Sequence, residues 1–172
     1  LQRILQKQGL QFRLRTRVLR AEARADDVLL ELQSDGDTHE LVCDRLLVAV
    51  GRRPRADGLN LEQIGIETLA KTGQVIVDKQ FRTTIKHIYA IGDLVPGPML
   101  AHKASAEGIA AVECLLGMHG EVNADAIPSV IYTSPEVAAV GLSEEEARQR
   151  GVAYCVGSYP FSGSGRARCM GE

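Results

Sequence analysis

The run Ile88-Tyr89-Ala90-Ile91 leads directly into Gly92-Asp93. If the run is a strand, the carboxylate stands at its carboxyl end, in the crevice where α/β sheets bind ligands. Glycine lets a cofactor approach the backbone, and a carboxylate there accepts hydrogen bonds from sugar or ribityl hydroxyls. Gly-Asp equally closes an ordinary strand, and one short motif does not decide between the two. Shortly beyond, Met99-Leu100-Ala101-His102-Lys103 opens a stretch of helical spacing. The unpaired N–H groups of a helix start, with the dipole behind them, favour negative charge. Such donors stabilise charge as it develops without reorganising. His102 reads as a local packing or hydrogen-bonding residue rather than a general base. Its main-chain position is the useful part.

Cysteines stand at 43, 114, 155 and 169, with no CxxC spacing of a metal or redox site. Cys43 and Cys114 fall in apolar patterns and read as small buried hydrophobes. No metal site is expected. A secreted disulfide framework is not suggested either, so the cytoplasm is the default compartment. The chain also has no Gly-x-Gly-x-x-Gly loop to cradle a pyrophosphate.

Hydrophobic residues make up 45% and charged residues 24% of the 172, an ordinary globular composition. Twenty Lys and Arg against 22 Asp and Glu give a formal charge of −2, no footprint for nucleic acid or an anionic membrane. Arg13, Arg15, Arg17 and Arg20 are expected on one exposed strand face. No apolar run approaches the ~20 residues of a membrane span. Leu1-Gln2-Arg3 has neither a start Met nor an apolar signal region and is expected to be a cut inside a helix.

The elements that must position these groups follow from periodicity. Residues 1–8 read as a helix end closed by Gly9. Gln11–Val18 alternates at period two, and Val28–Leu32 reads as a second strand before the turn Ser34-Asp35-Gly36-Asp37. Leu41–Cys43 and Leu46–Val50 complete a β-meander, the last strand so apolar that burial on both faces is expected. Gly51-Arg52-Arg53-Pro54 stops that unit. Arg52 and Arg53 suit phosphate contacts and an exposed interdomain turn equally well. Gln74–Val77 and His87–Ile91 read as strands, and Leu100–Met118 as a helix. Val130–Tyr132 is expected to be a strand. Ser143 and Glu146 form a capping box at the start of a helix that Gly151 ends. Tyr154–Pro160 is expected to be another strand, followed by a polar, Gly-rich turn. His39 and His119 read as exposed turn residues.

Thr83-Thr84 followed by His87-Ile88-Tyr89-Ala90-Ile91-Gly92-Asp93 resembles the second flavin-binding fingerprint of the FAD-dependent pyridine nucleotide-disulfide oxidoreductase family. Pro98-Met99-Leu100-Ala101-His102-Lys103-Ala104 is similar to the sequence after it in the dihydrolipoamide dehydrogenase branch, and differs from the glutathione and mercuric reductases there. The resemblance implies that Asp93 holds the FAD ribityl chain. It also implies that Met99, Leu100, Ala101 and His102 run along the pyrimidine edge, where reduced flavin carries negative charge. Leu46–Pro54 resembles the strand and turn that close the family's NAD domain. That match puts Gly51 beside the nicotinamide half of NAD and the Val18 main chain at the adenine end. Ile127–Ala138 and Ser164–Ala167 resemble parts of the interface domain through which family members form homodimers. Ala139 departs from the large aromatic common in that domain.

The resemblance runs through the chain in family order. It implies an α/β architecture in three incomplete parts. Residues 1–51 are expected to be the C-terminal half of an NAD domain with its β-meander, residues 52–122 the returning segment of a Rossmann-like FAD domain, and residues 127–172 the start of an α+β dimerisation domain. The implied parent activity is reoxidation of dihydrolipoamide by NAD through FAD and a redox disulfide. Its implied partner is a lipoyl domain of a 2-oxo-acid dehydrogenase or glycine cleavage complex. The family's two cysteines separated by four residues do not occur here, and neither does its His-Glu base pair. No catalytic residue is therefore assigned, and these residues by themselves are expected to be silent. Two alternatives stand beside this reading: another FAD-dependent disulfide reductase of the glutathione or mercuric type, and a non-catalytic truncated piece that binds or dimerises.

Overall fold

Ser34 and Asp37 face each other across a two-residue turn, with Asp35 at φ 51° and Gly36 at φ 97°. Positive φ at both central positions gives the turn a twist that matches the flanking strands, which is why Asp-Gly stands there. In the computed structural model, which describes residues 1–171, this turn joins two strands paired antiparallel in unbroken register. The chain divides into two units, Leu1–Gly51 and Arg52–Glu172.

The first unit runs α1 (Gln2–Lys7), β1 (Thr16–Ala23), β2 (Val28–Ser34) and β3 (Asp37–Cys43). Its sheet is an antiparallel meander in the order β1-β2-β3. β2 is paired on both edges, and Leu30 and Leu32, two residues apart on one face, are buried there. A bulge after Val18 shifts the register, so that Val18 faces Leu32 and Arg20 faces Glu31. The extra residue has a consequence for charge. Arg17 and Arg20 would point to opposite faces of a regular strand, but their partners Gln33 and Glu31 share a face. The two arginines therefore lie on one exposed side.

Several strand expectations give way. The first strand starts at Thr16 rather than Gln11, and Arg13 and Arg15 precede it. Arg15 itself has φ 53°, which interrupts the extended backbone. Leu46–Val50 forms no strand, and Leu47 and Val50 are 87% and 92% exposed. A fully buried strand needs ladders on its edges and cover on both faces, and no described element pairs with this run. His39 is not in a turn but in β3, opposite Leu32.

The second unit begins with a long irregular stretch. Gln74–Val77 and His87–Ile91 are extended but reach only the isolated bridges Thr68↔Val75 and Arg82↔Tyr89. The Thr83 N–H to Ile88 carbonyl and Ala90 N–H to Phe81 carbonyl bonds make the second bridge, and the Val75 N–H donates to the Leu94 carbonyl outside any ladder. Ile66, Val75, Ala90 and Val95 form one buried cluster under this stretch. Phe81, Ala110 and Ala111 form another, against α2 (Ala101–Leu115). Cys114 is buried on the same helix, as expected, whereas Cys43 is only half-buried.

Beyond α2 come β4 (Ser129–Ile131) and β5 (Val137–Ala139), an antiparallel hairpin containing a cis Ser134-Pro135 peptide. Next are α3 (Glu144–Gln149) and α4 (Gly165–Met170). The capping box on α3 forms as the sequence indicates, with the Glu146 N–H donating to Ser143 Oγ and the Ser143 N–H to Glu146 Oε2. Tyr154–Pro160 forms no strand, because no described strand lies beside it. The Gly-rich turn contains α4 instead, with Ser164 as its N-cap. The chain is thus mixed α/β, and its described sheets are antiparallel. No helix among the described residues is long and apolar enough to cross a membrane.

Candidate functional site

Gly92 opens a single 3-10 turn, Gly92–Leu94, that lies on the first turns of α2. Its φ is +71°, and a Cβ there would stand 3.1 Å from the Cβ of Ala104. The position demands glycine for both conformation and space. A second glycine completes the fit. A Cβ on Gly97 would come within 2.8 Å of Lys103 Cε, so the Lys103 stem runs directly beneath the loop.

Lys103 and Glu107 grip the Gly92 residue from α2. The Gly92 N–H donates to Glu107 Oε2 at 2.7 Å, and Lys103 Nζ donates to the Gly92 carbonyl at 3.1 Å. Lys103 Nζ also lies 2.9 Å from Glu107 Oε1, and the two side chains are 3% and 7% exposed. Two charges so deeply buried persist only when paired and hydrogen-bonded, and this closed set of contacts meets that requirement. On the other side, the Gln74 amide donates to the Val95 carbonyl at 3.1 Å. The loop is held from both flanks.

Asp93 projects from this clamped turn. It is exposed, and no hydrogen-bond partner meets its carboxylate among the described residues. Close by, α2 begins at Ala101 with Leu100 as N-cap. The cap has no side-chain hydrogen bond, and the first turn carries no acidic residue. Its leading N–H groups are therefore open to an outside acceptor. Met99 and Leu100 are half-buried, Ala101 and His102 exposed. The His102 imidazole is occupied: Nε2 donates to the Pro128 carbonyl at 2.9 Å, the local bond expected of it.

Thr83 and Thr84 anchor the approach to Gly92. Buried Thr83 donates through Oγ1 to the Ile85 carbonyl and accepts from the Ile85 N–H. Thr84 Oγ1 donates to the Gly65 carbonyl at 2.7 Å and accepts the Glu67 N–H. Arg82 Nε donates to the Tyr89 hydroxyl across the isolated bridge, and that bond raises the basicity of its guanidinium. Arg52, Arg53 and Lys71 line one cleft together with Met99.

Val18 and Gly51 belong to the first unit. Val18 is 53% exposed beside the β1 bulge. Gly51 has φ +106°, and nothing lies within 4 Å of where its Cβ would stand. Of the sequence-derived residues, then, Asp93 and the start of α2 come together around one turn.

The family model described as pyridine nucleotide-disulphide oxidoreductase matches residues 1–108. The chain belongs to that family. The model of the family's dimerisation domain matches residues 127–172. Among curated relatives, the chain is similar to the mitochondrial dihydrolipoyl dehydrogenase of Pisum sativum, 45% identical over 98% of this chain and 34% of the relative. It is 49% identical to that of Sus scrofa, over 97% of this chain and 33% of the relative. The leghemoglobin reductase of Glycine max is 45% identical over 98% of this chain and 32% of its own length. The chain thus spans about a third of the length of the curated relatives it matches.

Solved structures agree. LpdA from Mycobacterium tuberculosis matches with a TM-score of 0.85 at 27% identity, over 98% of this chain and 36% of that one. The HOCl-induced flavoprotein disulfide reductase RclA from Escherichia coli matches with a TM-score of 0.79 at 30% identity, over 98% and 38%. Within this pyridine nucleotide-disulphide oxidoreductase chain, sequence reasoning missed what holds the Gly92 turn. Its signal was legible: Lys103 and Glu107 stand one turn apart and in line with Ala110, Ala111 and Cys114, the buried stripe of α2. Opposite charges at that spacing on an apolar face mark an internal pair.

Proposed function

We propose that the protein carrying this chain is an FAD-dependent dihydrolipoamide:NAD oxidoreductase, with residues 52–122 lining FAD and residues 1–51 lining NAD. The observation that carries the reading is the clamped Gly92 turn, which presents an unpartnered Asp93 beside the uncapped start of α2. A ribityl chain with its hydroxyls and a flavin edge that gains negative charge suit that pair of features. Gly92, lacking a side chain, lets the turn pack directly on Ala104 of α2, which keeps Asp93 next to the helix start. These residues therefore fit FAD.

In this reading Asp93 accepts hydrogen bonds from the ribityl hydroxyls. Main-chain groups from Met99 to His102 run along the flavin pyrimidine, the Leu100 N–H being held by the Pro98 carbonyl. The His102 imidazole, bonded to Pro128, holds the segment rather than moving a proton. FAD supplies the two-electron relay between a dithiol and NAD. Gly51 lies beside the nicotinamide half, and the Val18 main chain meets the adenine end. The redox disulfide, the base and the pyrophosphate loops are assigned to residues outside these 172. By themselves the 172 residues bind and position and do not turn over.

The identities of 45–50% to proteins named dihydrolipoyl dehydrogenase support the dihydrolipoamide assignment. The partner class is a lipoyl domain of a 2-oxo-acid dehydrogenase or glycine cleavage complex. Residues 127–172 are assigned to a homodimer interface, in keeping with their family match. Four unpaired cysteines support a reducing compartment, which we take to be the cytoplasm; relatives named mitochondrial make fractionation the deciding observation. A second reading, reduction of another disulfide, draws on the likeness to RclA.

The test is to purify the complete protein that carries these residues, record its flavin absorbance, and assay NAD-dependent oxidation of dihydrolipoamide beside reduction of glutathione disulfide. A yellow protein active on dihydrolipoamide supports the reading. A flavoprotein active only on another disulfide moves the assignment to the second, and a colourless protein that takes up no FAD removes both.

A further inference from the structure

Burying two charges is costly even when they are paired, and an apolar pair of similar size often serves stability as well. Lys103 and Glu107 are enclosed on the inner face of α2, and their contacts are specific. One acceptor oxygen of Glu107 goes to the lysine and the other to the Gly92 N–H, while the lysine also reaches the Gly92 carbonyl. Donor and acceptor of a single residue are thus both bonded to one ion pair. Rotation of either peptide plane flanking Gly92 would break a charge-assisted bond inside a buried site.

That arrangement fixes the direction in which the chain leaves Gly92, and the next residue is Asp93. Both partners sit in the first two turns of the helix whose N-terminus is the other half of the candidate site. From these contacts, and resting on the flavin reading of Asp93 given above, we infer that Lys103 and Glu107 are positioning residues for flavin. They lock the Gly92 peptides so that the Asp93 carboxylate and the α2 N-terminus keep one fixed relation. Neither side chain touches the cofactor. Gly97 belongs to the same device, because only a glycine there leaves room for the Lys103 stem.

The inference separates from a merely structural role. Replacing a buried ion pair by apolar residues of similar size commonly leaves a protein as stable or more so, whereas removing one partner strands a charge. The double variant Lys103→Met/Glu107→Leu therefore strands no charge and is expected to stay folded, while the grip on Gly92 is lost. Its thermal midpoint should be somewhat lower, because the buried Gly92 N–H loses its acceptor. In the complete protein, its FAD dissociation constant is expected to rise roughly 10- to 100-fold, the equivalent of losing one well-aimed charge-assisted hydrogen bond. The bound flavin absorbance band should shift as the α2 N-terminus loses its set position. Glu107→Gln retains an acceptor for the Gly92 N–H and should hold flavin far better than Glu107→Leu.

Apo-protein titrated with FAD, with melting curves alongside, decides it, and Asp93→Asn is measured in parallel. A folded double variant with unchanged FAD affinity and flavin spectrum overturns the inference, as does a Glu107→Gln loss equal to that of Glu107→Leu. If Asp93→Asn also leaves FAD binding untouched, the flavin reading of the site fails and the inference with it. If Asp93→Asn weakens FAD while the folded double variant does not, only the positioning role fails.

Discussion

The Gly92 N–H points at Glu107 Oε2 across 2.7 Å, a bond between a loop residue and a buried side chain on the helix that follows. It closes the turn that carries Asp93 and ties it to the start of α2. Both sequence motifs are therefore presented by one rigid corner. The relation explains why the loop tolerates so little change at Gly92, where conformation and the Ala104 contact both exclude a side chain.

Asp93→Ala removes an exposed carboxylate that bonds to no other described residue, so the fold should be unaffected. Flavin binding is expected to weaken by roughly 1.5–3 kcal/mol, the range for a hydrogen bond to a charged group. Flavin content after prolonged dialysis measures it, and undiminished content would take Asp93 out of the site.

His102→Ala should behave in the opposite way. The imidazole bonds the Pro128 carbonyl, so the variant loses about 0.5–1.5 kcal/mol of stability, towards the low end because the contact is exposed. Its main-chain N–H is retained, and FAD affinity is expected to stay at the parent level. A loss of flavin as large as that of Asp93→Ala would give the side chain a direct role.

Gly51 calls for a pair of variants. Any side chain at φ +106° adds strain on the order of 1–3 kcal/mol, shared by Gly51→Ala and Gly51→Val. Only the valine adds bulk. With NAD beside this residue, the KM for NAD should climb from alanine to valine while bound flavin is spared. Equal kinetics in the two variants would speak against the placement.

Glu146 is predicted to report on pH. The Ser143 N–H, and after it the Ser143 hydroxyl, hold its carboxyl below the ordinary glutamate range. A lowered folded value means that the capping contribution is complete above that ordinary range and is lost as pH falls through the lowered one. Carboxyl resonances followed by NMR should show Glu146 titrating below the ordinary glutamate range. Ser143→Ala removes only the hydroxyl and keeps the main-chain N–H, the larger cause, so it should move the Glu146 midpoint part of the way back. A parent midpoint within the ordinary range would contradict the cap.

Local chemistry was legible wherever a few neighbouring residues settle the outcome. Asp35-Gly36 dictates its turn because both backbones must adopt positive φ, and Ser143 with Glu146 dictates a cap because donor and acceptor lie within one helical turn. The α2 stripe and the Gly92-Asp93 junction are local in the same sense. Strand pairing is not. Leu46–Val50 has the composition of a buried strand and stays exposed, since a strand exists only where another offers its edge. Tyr154–Pro160 fails likewise, and the bulge that aligns Arg17 with Arg20 is visible only against Glu31 and Gln33 of β2. The sequence by itself determined the family, the Asp35-Gly36 turn and the Ser143 cap. Tertiary structure alone decided that Lys103 and Glu107, from α2, would close on both polar groups of Gly92, because that grip depends on a loop folding back over a helix.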